Sequence, residues 1–117
     1  MMSNIKFLVY DKAKGFSRLI KQYFSDKVEV KIFKGDDSDI YELNTLNVAF
    51  IQINSMDDLV PGMVLAHYSK YVFWSSSYKD VRKILNDKEG FIFLDMHLSR
   101  KEILTIINNH IEMIKEE

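Results

Sequence analysis

The chain has no cysteine, a single proline and only four glycines among its 117 residues. Without cysteine, neither a disulfide framework nor a zinc site built on cysteine is possible. No apolar run reaches the length that a membrane-spanning helix needs. The first residues, Met1–Lys6, also lack the apolar segment of a secretory signal. We therefore expect a cytoplasmic protein that makes no contact with a membrane.

An excess of charge of one sign is also lacking. The 16 basic and 17 acidic residues give a formal net charge of −1. Binding to the phosphate backbone of nucleic acid needs clustered positive charge, so we expect no nucleic-acid partner for this domain. Hydrophobic residues make up 47% of the chain, which is enough for one core. The length suits a single domain that spans residues 1–117.

The stretch around which the rest of the chain is arranged is Asn47–Asn54. Its apolar run, Val48–Ile51, does not alternate with polar residues. Such a run is typical of a strand that is buried on both faces in the middle of a sheet. The run first breaks at Gln52. Because ligands of an open parallel sheet gather at the carboxyl ends of its strands, we expect any chemistry to lie near Gln52.

Strands and helices alternate along the rest of the chain. The other predicted strands are Ile5–Tyr10, Val28–Phe33, Tyr71–Trp74 and Phe91–Leu94. The first predicted helices are Phe16–Phe24 and a weak helix over Asp39–Leu46. A loop that extends to Pro61 is followed by a short predicted helix over Met63–Tyr68. The last two helices each follow a capping pair: one begins after Ser77 and Asp80, and the other, Arg100–Lys115, after Ser99 and Glu102. This alternation predicts a parallel sheet with right-handed crossovers. The half-polar second strand belongs at an edge, which favours the strand order 2-1-3-4-5.

This pattern resembles the receiver domain of bacterial two-component response regulators across essentially the whole chain. The matching landmarks are Phe7–Asp11, Asn47–Gln52, Val72–Ser75 and Gly90–Leu94. The resemblance implies an α/β fold, namely a three-layer flavodoxin-like (βα)5 doubly wound sandwich with a five-stranded parallel sheet. It also implies a place in two-component signal transduction, where receivers accept a phosphoryl group on an aspartate.

The charged parts of that reaction are mostly replaced here. In receivers, two acids after the first strand hold Mg²⁺, an aspartate ends the third strand, a Ser or Thr follows the fourth, and a lysine follows the fifth. By resemblance, Asp11 matches the first acid and Ser75 the hydroxyl. Lys12, Gln52 and Leu94 stand in place of the second acid, the phosphoacceptor and the lysine. Because transfer depends on these charges, we expect a degenerate pseudo-receiver with no catalytic residue, metal or cofactor.

Two features of the degenerate pocket have alternative interpretations. The Lys12 ammonium either replaces the charge of Mg²⁺ beside Asp11, or the two side chains are an incidental solvated pair that points apart. The run Ser75, Ser76 and Ser77 either binds a small anion together with Lys12, or is simply a strand end followed by an N-cap. A flavin site is disfavoured, because Asp11–Gly15 is not the hydroxyl-rich loop that such a site needs.

The last predicted helix has an unusually wide apolar arc. Ile106 and Met113 lie to one side of its centre at 100° per residue. They either cover the edge of the sheet or form, with Phe91, a surface for a protein partner or a second copy of the chain. By resemblance, this region is the usual interaction face of receivers. We therefore expect a non-enzymatic signalling module that acts by protein–protein contact or dimerisation, independently of phosphorylation. The alternative is a regulatory domain that binds a small anion or metabolite at the carboxyl edge of the strands.

Overall fold

The computed structural model describes residues 5–12, 15–33, 46–76, 80, 83, 89–95 and 97–116. Within them, the strands are β1 (Ile5–Tyr10), β2 (Glu29–Ile32), β3 (Leu46–Ile53), β4 (Tyr71–Ser76) and β5 (Phe91–Phe93). The helices are α1 (Gly15–Phe24), α2 (Leu59–His67) and α3 (Arg100–Lys115), and a short 3-10 helix, Met56–Asp58, joins β3 to α2. The predicted helix over Asp39–Leu46 lies outside the described residues except for Leu46, which begins β3. Of the predicted helix after Ser77, only residues 80 and 83 are described, and both are helical.

The five strands form one parallel sheet in the order β2-β1-β3-β4-β5. The predicted order is therefore confirmed, with the half-polar strand β2 at one edge. Every residue of β1 is buried: the apolar run Phe7–Tyr10 predicts this for most of the strand, and Lys6 is buried as well. The strand bounds differ from the predicted ones by at most two residues, which is the usual uncertainty at element ends.

Each face of the sheet carries its own core. One core, which we call the α1–α3 face, contains Phe7, Val9, Val48, Phe50, Phe73, Ile103 and Ile107. The other, the α2 face, contains Leu8, Tyr10, Ala49, Ile51, Val72 and Trp74. Successive residues of a strand point to opposite faces, so the uninterrupted apolar runs supply both cores at once. The fold thus has three layers, with helices covering each side of the sheet.

Helix α2 begins earlier than the sequence predicts. Pro61 and Gly62 predict a loop followed by a helix at Met63, but α2 runs over Leu59–His67 and includes both residues. Proline is tolerated in a first turn, where the N–H groups have no partner within the helix. A Cβ on Gly62 would lie 2.9 Å from Ile51 Cγ2, so this glycine lets α2 approach β3 closely. The predicted loop was wrong, because Pro61 and Gly62, which usually interrupt a helix, lie within α2 and Gly62 allows α2 to pack closely on β3.

Helix α3 has the predicted bounds and the predicted cap. The Glu102 N–H donates to Ser99 Oγ at 3.1 Å, and the Ser99 N–H donates to Glu102 Oε1 at 3.1 Å. The bond from the Ser99 N–H, together with an interaction of the Ser99 hydroxyl with the carboxylate, lowers the pKa of the Glu102 carboxyl from its ordinary value. The helix lies on the sheet through Ile103, Ile107, Ile111 and Ile114, all of which are buried. In the part of the chain that the structure describes, no helix is both long enough and apolar enough to cross a membrane.

Candidate functional site

Four of the residues singled out in the sequence follow one another across the carboxyl edge of the sheet. Gln52 pairs with Ser75 in the register of β3 and β4. Asp11 directly follows the last residue of β1 and Leu94 the last residue of β5. Neighbouring strands lie about 4.8 Å apart, so these residues form a line across β1, β3, β4 and β5. We call Asp11, Gln52, Ser75 and Leu94 the carboxyl-edge row.

The carboxyl-edge row is aligned with the α1–α3 face. Val9, Phe50, Phe73 and Ile92 each precede a member of the row by two residues, and all four belong to or pack against the core on that face. Because side chains alternate along a strand, the members of the row share this face. All four are buried. The structure thus brings Asp11, Gln52, Ser75 and Leu94 together in one row, whereas Lys12 is exposed.

The Asp11 carboxylate caps the N-terminus of α1. Its Oδ2 accepts hydrogen bonds from the backbone N–H groups of Phe16 at 2.7 Å and Ser17 at 3.4 Å. These are N–H groups of the first turn of α1, which have no acceptor within the helix. A carboxylate at a helix N-terminus is also favoured by the helix dipole. Asp11 therefore acts as a structural cap, a role that the sequence alone does not reveal.

Gln52 and Ser75 form an incompletely satisfied pair at the centre of the row. Gln52 is 5% exposed and Ser75 is fully buried. The Gln52 Nε2 donates to Asn54 Oδ1 at 2.9 Å. Gln52 Oε1 and Ser75 Oγ are buried and have no hydrogen-bond partner among the described residues. Buried polar atoms nearly always have partners, so this pair is an exception in the middle of the site.

The residue that follows the fifth strand adds an apolar side chain to the row. Leu94 belongs to the core of the α1–α3 face, and its backbone N–H donates to the Trp74 carbonyl at 2.8 Å. Asp95, the residue after Leu94, is exposed and accepts a bond from the His97 N–H at 2.9 Å. No cation therefore enters the row from the position of the receiver lysine. Ser76 is buried beside the row, whereas Ser77 lies outside the described residues.

A second polar cluster, which sequence reasoning missed, lies on the α2 face. The Tyr10 hydroxyl donates to Asp58 Oδ1 at 2.8 Å. Asp58 Oδ2 accepts from the N–H groups of Asn54 at 2.8 Å and Ser55 at 3.0 Å. The spacing of Ser55 and Asp58 matches a capping box and was the available signal. The partner Tyr10, 48 residues away, has no local signal in the sequence.

The pKa values of this cluster follow from its hydrogen bonds. Burial alone would raise the pKa of the Asp58 carboxyl, but the bonds from Asn54, Tyr10 and Ser55 and the charge of Lys12 lower it below its ordinary value. Burial, the hydrogen bond to Asp58 and the negative charges of Asp58 and Asp57 raise the pKa of Tyr10 to about 12. The Asp58 carboxylate is thus stabilised in its ionised form and the Tyr10 hydroxyl in its protonated form.

The described residues offer no grouped metal ligands. Nowhere among them do three or more His, Cys, Asp or Glu side chains come together as a metal ion would require. His110 packs edge-on against Phe73 at 5.5 Å, and its Nδ1 lies 2.9 Å from the Ile106 carbonyl oxygen. This part-buried histidine is therefore a packed core residue with a polar partner.

The residues predicted to form a partner surface do not all lie on the same side of the sheet. Met113 is 65% exposed, and Ile106 is half-buried against the core of the α1–α3 face. Phe91 packs against the core of the α2 face, on the other side of β5. The prediction that Phe91 joins Ile106 and Met113 in one patch was therefore wrong. Ile92, which is half-buried on the same face as Ile106, is the neighbour that alternation within β5 would have indicated.

Comparison with known proteins adds one informative likeness. No family model matches the chain, and no curated protein matches it. Among solved structures, the chain is similar to the receiver domain of Francisella response regulator 1452. The TM-score is 0.56 and the sequence identity 19%, over 94% of this chain and 98% of that chain. The chain therefore has the flavodoxin-like fold of a response regulator receiver domain, with its parallel sheet in the order 2-1-3-4-5.

Proposed function

We propose that the chain is a receiver-like signalling module that works without phosphorylation, through contact with another protein or a second copy of itself. The observation that carries the proposal is Gln52 at the end of β3, in the centre of the carboxyl-edge row. An amide cannot accept a phosphoryl group as a carboxylate does. Phosphoryl transfer depends on positioned charges, yet Asp11 caps α1 and Leu94 is part of the core. The cytoplasmic location expected from the sequence belongs to the same proposal.

Acidic residues near β3 do not replace the missing nucleophile. A shift of register would bring Asn54 to the acceptor position, and this residue is also an amide. Asp58 is nearly inaccessible to solvent, and both of its oxygens already accept hydrogen bonds. A carboxylate whose lone pairs are engaged by three donors is a poor nucleophile. Asp58 is therefore structural in this proposal, whereas its neighbour Asp57 is exposed to solvent.

The alternative function, binding of a small anion at the row, receives less support. Gln52 Oε1, which has no hydrogen-bond partner within the described ranges, is a hydrogen-bond acceptor and repels an anion. Asp11 carries the same sign of charge as the ligand it would have to bind. Lys12 is exposed and is not part of the row. We therefore prefer the interaction module to the anion-binding domain.

Treatment with a small phosphodonor or with a phosphoryl analogue tests the first half of the proposal. With Mg²⁺ and either acetyl phosphate or beryllofluoride, the intact mass and the backbone amide shifts of the protein should stay unchanged. A receiver domain that can be phosphorylated serves as the positive control. A covalent gain of one phosphoryl group, or shifts concentrated at Asp11, Gln52 and Ser75, would contradict the proposal. The variant Asp58→Asn then shows whether Asp58 is the acceptor of any such group.

A matched pair of methionine variants tests the second half. Met113 is 65% exposed on α3 and Met56 is 62% exposed on the loop before α2, so replacing either one with lysine leaves the core intact. If the protein associates through the flank of α3 that carries Met113, Met113→Lys should lower the sedimentation coefficient at high concentration and Met56→Lys should not. Circular dichroism serves as the folding control. Equal behaviour of the two variants would contradict this choice of surface, and a monomeric wild type would leave only a different protein as partner.

A further inference from the structure

The polar cluster on the α2 face ties together two segments that are distant in the sequence. Tyr10 ends β1, and Asp58 ends the 3-10 helix that follows β3. Their side chains meet at 2.8 Å, while Asp58 also accepts the N–H groups of Asn54 and Ser55. Asn54 in turn accepts a bond from Gln52 in the carboxyl-edge row. A chain of hydrogen bonds therefore runs from β1 through the loop after β3 to the row.

We propose that Tyr10 and Asp58 form a latch that holds the loop Asn54–Asp58 against the end of β1. Opening this latch releases the loop and the side chain of Gln52 while the sheet stays folded. The bond between Tyr10 and Asp58 is charge-assisted, which makes it stronger than a neutral hydrogen bond. The contacts of Asp58 with Asn54 and Ser55 are local to the loop, whereas the Tyr10 hydroxyl anchors Asp58 to another strand. Losing that hydroxyl should therefore loosen the loop and spare the ladder between β1 and β3.

The latch is closed throughout the neutral pH range. The groups that act on it are Asp58, Tyr10, Asp57 and Lys12. The pKa of Asp58 is lower in the folded protein, so its contribution to stability is complete above the ordinary carboxyl pKa and is lost as the pH falls through the folded-state pKa. The hydroxyl of Tyr10, whose pKa is raised to about 12, keeps its proton until strongly alkaline conditions. The loop is thus held in one position, and the exposed side chains of Met56 and Val60 are held with it.

Amide hydrogen exchange of the variant Tyr10→Phe tests the latch. This change removes only the hydroxyl and keeps the ring, which contacts Phe33 with ring centroids 6.2 Å apart. We expect the amides of Asn54 and Ser55 to exchange about tenfold faster, or more, because a hydrogen bond to a charged group is lost. The amides of Leu8 and Val9 should keep their protection. Tyr23→Phe, at a tyrosine that is 42% exposed, controls for the loss of a hydroxyl elsewhere.

A pH titration supplies an independent readout. In the wild type, the amide shifts of Asn54 and Ser55 should titrate with a midpoint below the ordinary carboxyl pKa. In Tyr10→Phe that midpoint should move upward, because a donor to the carboxylate is gone, and in Asp58→Asn the titration should disappear. Unchanged exchange of Asn54 and Ser55 in Tyr10→Phe would overturn the latch. The same acceleration at Leu8 and Val9 would also overturn it, since the hydroxyl would then support the whole sheet.

Discussion

Replacing Ser75 with alanine should stabilise the protein. The Ser75 hydroxyl is fully buried and has no hydrogen-bond partner in the part of the chain that the structure describes. Burying an unpaired hydroxyl costs about 1–3 kcal/mol by protein mutational data. Alanine removes this cost and leaves a void of only one oxygen atom. We therefore expect Ser75→Ala to raise the free energy of unfolding by about 1–2 kcal/mol, and the melting temperature by roughly 4 °C per kcal/mol for a domain of this size.

The same substitution at a satisfied serine gives the control. The Ser69 hydroxyl donates to the Leu65 carbonyl at 2.8 Å, so Ser69→Ala should lower the free energy of unfolding by about 0.5–1.5 kcal/mol. Urea denaturation followed by the fluorescence of Trp74, which is the single tryptophan and is buried, measures both variants. Destabilisation by Ser75→Ala would refute the reasoning. It would show that the hydroxyl is hydrogen-bonded in solution, for example through a water molecule to Gln52 Oε1.

The remaining predictions concern the packing of the sheet, and the same denaturation assay measures each of them. Ile51→Ala, in the central strand, should lower the free energy of unfolding by about 2–5 kcal/mol, and a variant as stable as the wild type would contradict the central position of β3. Ile107→Asp should prevent folding, because an unpaired charge would be buried under α3; a cooperative unfolding transition at wild-type urea concentration would contradict this. Gly90→Ala should cost about 1–3 kcal/mol, since Gly90 has a φ of 81° and an added Cβ would lie 2.6 Å from the Lys70 carbonyl oxygen. A neutral effect at Gly90 would mean that the turn before β5 can rearrange.

The sheet and the last helix could be predicted because their signals are local. Strands buried on both faces require apolar residues at every position, which makes runs such as Phe7–Tyr10 and Val48–Ile51 unambiguous. Ser99 and Glu102 fix the start of α3 through a capping box that reads directly from the sequence. The carboxyl-edge row follows from these bounds, because residues that end neighbouring parallel strands must meet at one edge of the sheet.

The parts that could not be predicted depend on contacts between distant segments. Pro61 and Gly62 predict a loop from local propensity, but the fit of Gly62 against Ile51 overrides that preference. The bond between Tyr10 and Asp58 joins residues whose separation in the sequence leaves no pattern. Phe91 was assigned to the partner surface from its place in the chain, whereas the alternation of β5 sends its side chain to the opposite face.

The cap that Asp11 forms on α1 changes what an aspartate at this position signifies. Removing a side chain that caps the N-terminus of a helix typically costs about 1 kcal/mol, and without Asp11 the N–H groups of Phe16 and Ser17 would need another acceptor. A mutation at Asp11 thus carries a penalty in stability whether or not the chain ever binds a metal ion. In this chain, the acid after the first strand has a structural role and does not by itself indicate phosphotransfer. Gln52, one residue before the end of the third strand, is more informative here, because among the described residues its amide bonds to Asn54 and caps no helix.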